Sequence, residues 1–267
     1  MGDFSIKFLG TGTSAGVPMI GCECPVCTSA DPRNRRWRSS IYLSAGNLRV
    51  LVDTSPDFRM QAIEHSIRKV DALLLTHAHV DHLFGLDDIR RVNTLQGAPI
   101  PLYASPEGIA DVRRIFDYIF RDAVPGTYRP KIELRPVEAP FEIAGADESL
   151  RVVPVDVVHG WSRTFGYRLE YGGRSVAYIP DCHEMPEPSR KLLSGLDLLV
   201  VDTLKYRPHP THLSLDEALA LIAALAPRRA LLTHIGHDLD HETLCRELAA
   251  RGFPNVSPAY DGLVAEL

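Results

Sequence analysis

Between Thr76 and His82 the chain reads Thr76-His77-Ala78-His79-Val80-Asp81-His82, three imidazoles and a carboxylate within six residues. These are the side chains that hold divalent metal ions, and the apolar run Ala72–Leu75 ahead of them places the group on a loop at a strand end. Side chains at i and i+2 of an extended segment point the same way, so His77 and His79 can share one ion while Asp81 and His82 turn toward a second. A polar loop preceding a helix explains one or two such residues but not four. A second cluster lies upstream, where Cys22, Cys24 and Cys27 crowd into six positions of a chain with five cysteines in all. That spacing suits a metal better than disulfides, and a closed site needs a fourth ligand. The glycines before it, Gly10-x-Gly12-x-x-x-Gly16, run into Pro18 and the cysteines instead of opening a helix, which argues against a nucleotide-binding loop.

The elements that must carry these groups are legible from apolar patterning. Strand-like runs fall at Phe4–Leu9, Ile41–Ser44, Leu48–Asp53, Ala72–Leu75, Leu150–Val158, Phe165–Tyr171, Ser175–Ile179, Leu198–Val201 and Ala230–Leu232. Helical spacing predicts helices over Asp57–His65, Leu83–Leu95, Glu107–Phe120, Leu215–Leu225 and His241–Arg251, with Ser105-Pro106, Ser214 and Asp240 placed as N-caps. Hairpin-like strand runs mixed with helices point to sheets covered by helices rather than a pure βαβ winding. An internal echo, Ala72-Leu-Leu-Leu-Thr-His77 against Ala230-Leu-Leu-Thr-His234, reads either as two related halves or as coincidence between short apolar strings. The Pro/Gly-rich stretch 123–130, with the helix before it, is the expected mobile element and a candidate lid.

Composition narrows the classes. The 267 residues are 45% hydrophobic and 24% charged, enough for one large α/β domain or two small ones. A net charge of −5 and a pI near 6.1 argue against binding polyanions by bulk positive charge, so no stable nucleic-acid partner is expected. The longest wholly apolar run, Ala218 to Ala226, is nine residues, short of the ~18 a membrane span needs. With no basic leader, and with Ile6 where a myristoylation signal has Ser or Thr, the expectation is a cytoplasmic protein with no membrane partner.

The His77-x-His79-x-Asp81-His82 string resembles the signature of the metallo-β-lactamase-fold superfamily, a four-layer αββα sandwich with metals at the sheet edges. The resemblance implies, in order, a lone His, an Asp bridging two ions and a further His, each at a strand end; His159, Asp181 and His234 stand there. It thus assigns His77, His79 and His159 to one ion, Asp81, His82 and His234 to the other, and Asp181 to both. His65, His183, His209 and His241 fall outside this set, and Cys182 and Cys245 read as buried small residues.

The opening string from Phe8 to Cys27 is similar to that of the phosphoribosyl 1,2-cyclic phosphate phosphodiesterase group of phosphonate breakdown, which carries a separate structural zinc. The resemblance spans nearly the whole chain and implies a single domain over 1–267 with a zinc loop at about 10–34. It supplies His237 as fourth ligand to Cys22, Cys24 and Cys27, a closed Cys3His site suited to zinc. It also implies a non-ligand His ahead of a helix; His212 fills that place, with His209 as a rival. The function implied is hydrolysis of a small phosphodiester, a cyclic one for this group, by two zinc or manganese ions that acidify a bridging water to a pKa near ~7. The hydroxide attacks phosphorus in line, Asp81 and Asp181 serve the metal centre, and His212 protonates the leaving oxygen. A homodimer is left open, as are a nucleotide or short-oligonucleotide phosphodiesterase, a thioester hydrolase and a non-catalytic cofactor-biosynthesis relative. Arg90, Arg91, Lys205 and Arg207 are candidate phosphate contacts.

Overall fold

The computed structural model describes residues 4–122 and 126–267. Strands β1 (Phe4–Gly10), β2 (Ser40–Ala45), β3 (Leu48–Val52), β4 (Ala72–Leu74), β5 (Ile100–Ala104) and β6 (Ile132–Pro136) form one sheet, to which β14 (Val264–Glu266) adds beside β1. The second sheet holds β7 (Phe141–Ala144), β8 (Ser149–His159), β9 (Ser162–Tyr171), β10 (Arg174–Ile179), β11 (Leu198–Asp202), β12 (Arg229–Thr233) and β13 (Val256–Pro258). Helices α1 (Phe58–Glu64), α2 (Val80–Leu83), α3 (Ile89–Gln96), α4 (Pro106–Ile115) and α5 (Asp117–Phe120) belong to the first half. The second half carries α6 (Glu187–Leu192), α7 (Leu215–Leu225) and α8 (His241–Ala250).

Strand alternation builds the layers. On β3, Val50 and Val52 enter the core between the sheets while Leu51 turns outward; on β11, Leu198 and Val200 face inward while Leu199 and Val201 turn outward. The outward residues are buried too, Leu51 with Phe58, Ile89 and Val112 of the helices, and Leu199 with Leu219 and Leu244. Both faces of the central strands are therefore dry, which is why they read as unbroken apolar runs. The result is the αββα sandwich that the family resemblance implied. No helix of the described residues is long and apolar enough to cross a membrane.

Within each sheet, three antiparallel pairings are followed by three parallel ones: β14 to β3 then β3 to β6, and β7 to β10 then β10 to β13. The halves repeat in topology. The sequence echo does not follow that repeat, because β4 corresponds in position to β11, whereas the echo aligned β4 with β12. The likeness of the two strings reflects similar strand ends, each delivering a histidine to one edge.

Other expectations are corrected locally. The helix predicted over Leu83–Leu95 is broken into α2, a 3₁₀ turn at Leu86–Asp88 and α3. The break falls at Gly85, whose amide donates to the Thr54 carbonyl at 2.9 Å and where a Cβ would lie 2.0 Å from the Ser55 carbonyl oxygen. The helix predicted over Glu107–Phe120 is likewise split at Phe116 (φ −108°, ψ 37°). Ser105, Ser214 and Asp240 cap α4, α7 and α8 as expected, Ser214 in a full capping box with Glu217. Strands β5, β6, β7, β13 and β14 and helix α6 went unforeseen. The core of the proposed lid, residues 123–125, lies outside the described residues.

Candidate active site

Parallel strands of both sheets end at one edge of the sandwich, and the metal-type side chains sit on the loops that leave those ends. The segment after β4 carries His77 and His79 and turns into α2 with Asp81 and His82; β8 ends on His159 itself; β10 is followed by Asp181, β11 ends in Asp202, and β12 is followed by His234. Two of these strand ends are held in left-handed backbone, Asp53 after β3 (φ 64°) and His234 (φ 56°). Non-glycine residues in that region cost energy and cluster where a site dictates side-chain direction.

Ligand atoms of His77, His79 and His159 lie within 4.8 Å of one another, and so do those of Asp81, His82 and His234. Asp181 touches both groups: its Oδ2 is 2.9 Å from His82 Nε2 and 3.5 Å from His234 Nδ1, and its Oδ1 is 3.6 Å from His159 Nε2. All but His79 are buried. The structure thus brings together every residue that the family resemblance assigned to the two-ion site.

The donor chemistry fits divalent ions. His82 Nε2, His234 Nε2 and Asp181 Oδ2 are buried and none takes part in a hydrogen bond of good geometry, a cost that a shared cation removes. Burial holds the imidazoles of His77 and His159 below their usual pKa and takes that of His234 down to about 3, which keeps them in the neutral form that ligates metal. His82 runs the other way. Burial opposes its charge, but Asp181, Asp81 and Asp53 outweigh that and raise its pKa well above the usual value. Three carboxylates around one imidazole are an excess of negative charge that calls for cations.

Sequence reasoning missed the side chains that aim the ligands. Asp53 accepts from the Thr76 amide at 2.8 Å and the Thr76 hydroxyl at 2.9 Å, and its Oδ2 lies 2.7 Å from His82 Nδ1. His159 Nδ1 is 2.8 Å from the Thr211 carbonyl oxygen. Such partners fix the tautomer and ring orientation of a ligating histidine. Asp202 plays a similar part for His212, with Oδ2 2.8 Å from His212 Nδ1 and accepting as well from the Cys182 amide at 3.0 Å. Burial pushes the His212 imidazole down, yet the Asp202 carboxylate overrides it and raises its pKa. His212 Nδ1 is 3.7 Å from Asp181 Oδ1, and His159, Asp181 and His212 themselves form a group close enough to share an ion.

A cavity of about 410 Å³ opens over this edge, lined among others by Ser14, His79, Asp81, Trp161, His209 and His212. His209, the rival to His212, packs against it with ring centroids 5.3 Å apart. None of Arg90, Arg91, Lys205 or Arg207 lines the cavity. Arg90 is engaged with Asp87 and lies over the Tyr128 ring, and Arg91 borders a groove with Phe58, Ile63 and Leu95. Of the remaining histidines, His241 packs on Tyr260 and His183 pairs through its backbone with Val158. Cys182 is buried as expected, whereas Cys245 is only partly so.

The cysteine cluster assembles as a second group. His237 Nδ1 lies 3.2, 3.6 and 3.7 Å from the Sγ atoms of Cys22, Cys24 and Cys27. Tetrahedral zinc with Zn–S near ~2.3 Å and Zn–N near ~2.0 Å has S···N edges of about 3.5 Å, so the four side chains are spaced for it. The Cys27 amide, donating to Cys24 Sγ at 3.4 Å, holds the Cys24 thiol down to about 6, toward the thiolate that zinc requires. Since Cys22–Cys27 come from the amino-terminal loop and His237 from the segment after β12, an ion here would tie the two together. Cys24→Ser is therefore expected to lower the zinc content by one ion per chain and to lower Tm, with turnover less affected; unchanged Tm and zinc content in that variant would rule the site out.

Comparison with known proteins agrees with this geometry. The description "Beta-lactamase superfamily domain" matches residues 48–235. A crystal structure of a diphosphatase from the PhnP family superposes with a TM-score of 0.88 at 38% identity, covering 99% of this chain and 97% of that one. Zinc-bound PqqB from Methylobacterium extorquens superposes at 0.78 with 25% identity, covering 98% and 100%. An octanoyltransferase of Porphyromonas gingivalis is 35% identical over 262 residues, 96% of this chain, which spans only half (50%) of that protein's length.

Proposed function

The chain belongs to the beta-lactamase superfamily, where it falls with the PhnP group, and on that premise we propose that it is a binuclear metal-dependent hydrolase of small phosphodiesters. His77, His79 and His159 would hold one ion and Asp81, His82 and His234 the other, with Asp181 between them; zinc or manganese suits these nitrogen and oxygen donors. When bound, such ions neutralise the phosphoryl oxygens and acidify water to a pKa near ~7. Cys22, Cys24, Cys27 and His237 would hold a structural zinc.

The observation that carries the reading is the placement of His212. It is a buried imidazole, oriented through Nδ1 by Asp202, that lines the same cavity as His79, Asp81 and Asp181. Hydrolysis of a phosphodiester adds water across a P–O bond, and the departing alkoxide must receive a proton. A group held by a carboxylate with a raised pKa can give it. A purely structural relative would have no use for such a pair beside a full ligand set. The diphosphatase relative widens the linkages worth assaying from P–O–C to P–O–P.

The test is a screen of the metal-loaded protein against cyclic and linear phosphodiesters and disubstituted diphosphates, with metal analysis alongside. About three ions per chain and turnover of a phosphodiester or diphosphate are expected. Full metal content with no hydrolysis of any of them would overturn the proposal in favour of a non-catalytic role.

A further inference from the structure

Trp161 is an anomaly that the hydrolytic machinery does not absorb. The residue is fully exposed, at 106% of the reference area, yet it lines the cavity that holds His79, Asp81, Asp181 and His212. An indole in water contributes nothing to the fold, and covering its large apolar face is favourable. Nor is it a loose ornament. Residues 160 and 161 form the two-residue turn between β8 and β9, with His159 paired to Ser162 across the ladder. Gly160 stands at the first turn position with φ 58°, as a tight hairpin of this kind requires. The backbone that carries the indole is thus fixed two residues beyond His159.

The rest of the wall shows what the indole could meet. The lining holds Ser14, Gly160, Ser162, Thr211, four histidines and two aspartates besides Trp161, and no lysine or arginine. Arg38, which donates to the Ser14 carbonyl oxygen, is engaged with Asp57 at 2.8 Å. Arg163, next to Ser162, is shared among Glu107, Glu138 and Asp156. Among the described residues, a substrate bearing a second, doubly charged phosphate would find no lysine or arginine on this wall to receive it.

Resting on the phosphodiesterase reading, we propose that Trp161 is the platform of a subsite that stacks a planar heteroaromatic group of the substrate, a nucleobase being the representative case, beside the scissile phosphorus. The preferred substrate then carries a base rather than a second phosphomonoester. An aromatic face accepts any base, and removing such a platform typically costs roughly 5- to 100-fold in affinity.

Binding of adenosine 5′-monophosphate, measured without turnover, is the probe, with ribose 5-phosphate as the base-less control. The chain has two tryptophans, so Trp37→Phe isolates the Trp161 fluorescence. Saturable quenching by adenosine 5′-monophosphate and not by ribose 5-phosphate is expected in that variant. By calorimetry, Trp161→Ala of the metal-loaded protein should lose roughly tenfold or more in affinity for the nucleotide, while Trp161→Phe keeps most of it. Equal affinity of Trp161→Ala and the unaltered protein overturns the subsite, as does ribose 5-phosphate binding as tightly as the nucleotide; either would leave the indole to a protein partner. Stacking without hydrolysis of any phosphodiester would instead overturn the hydrolase reading alone.

Discussion

Asp181→Ala is expected to lower kcat/KM for any phosphodiester the protein hydrolyses by at least about 10³-fold, the upper range for losing a single charge-stabilising group, and to reduce the metal content. The reason is its position. One buried carboxylate reaches His159 of the first ligand group at 3.6 Å and both His82 and His234 of the second, at 2.9 and 3.5 Å. Its removal takes a negative charge from a pocket in which burial keeps His77, His159 and His234 neutral, weakening the hold on any cation. Asp181→Asn keeps the shape and loses the charge, so a comparable defect there would separate electrostatics from packing. Asp81→Ala, which strips a ligand from the second group only, should lose about one ion per chain while keeping its far-ultraviolet circular dichroism. Unaltered turnover with full metal content in Asp181→Ala would remove this residue from the centre of the mechanism.

How far the sequence reveals such a site depends on how local each part is. His77, His79, Asp81 and His82 are legible from spacing because one strand end and one turn present them all. His159, Asp181 and His234 are single residues spread along the chain, and only the order implied by a family resemblance singled them out. What unites them is topology: parallel strands in both halves of the sandwich deliver their ends to one edge. Asp53 and Asp202 carried a signal that could have been read. Both stand in the string Val-Asp-Thr at the end of an apolar run, Val50–Val52 and Leu198–Val201, where a carboxylate about to be buried needs a partner. The strands missed at the sheet margins, β6, β7, β13 and β14, have half-exposed patterns of three to five residues whose pairing is set by distant neighbours. Gly85 shows the same limit from the other side, since helical periodicity ran on where a backbone contact with Ser55 forced a break.

His212→Ala is expected to lower kcat by about 10²–10⁴-fold for a diester with an alkoxide leaving group, the range of a general acid, while metal content stays full. The imidazole is held through Nδ1 by Asp202 at 2.8 Å, which leaves Nε2 as the nitrogen free to serve the substrate. On bis(p-nitrophenyl) phosphate the loss should be much smaller, because a nitrophenolate departs without a proton. Asp202→Asn should give a weaker version of the same contrast, since it disturbs the tautomer and orientation of the ring without removing it. The comparison discriminates among the other roles the geometry allows. Equal losses on both substrates would make His212 a phosphate-binding group, and loss of an ion would make it a ligand, as its grouping with His159 and Asp181 permits. No loss on either would pass the proton to His209, whose ring lies 5.3 Å away in the same cavity, or to water.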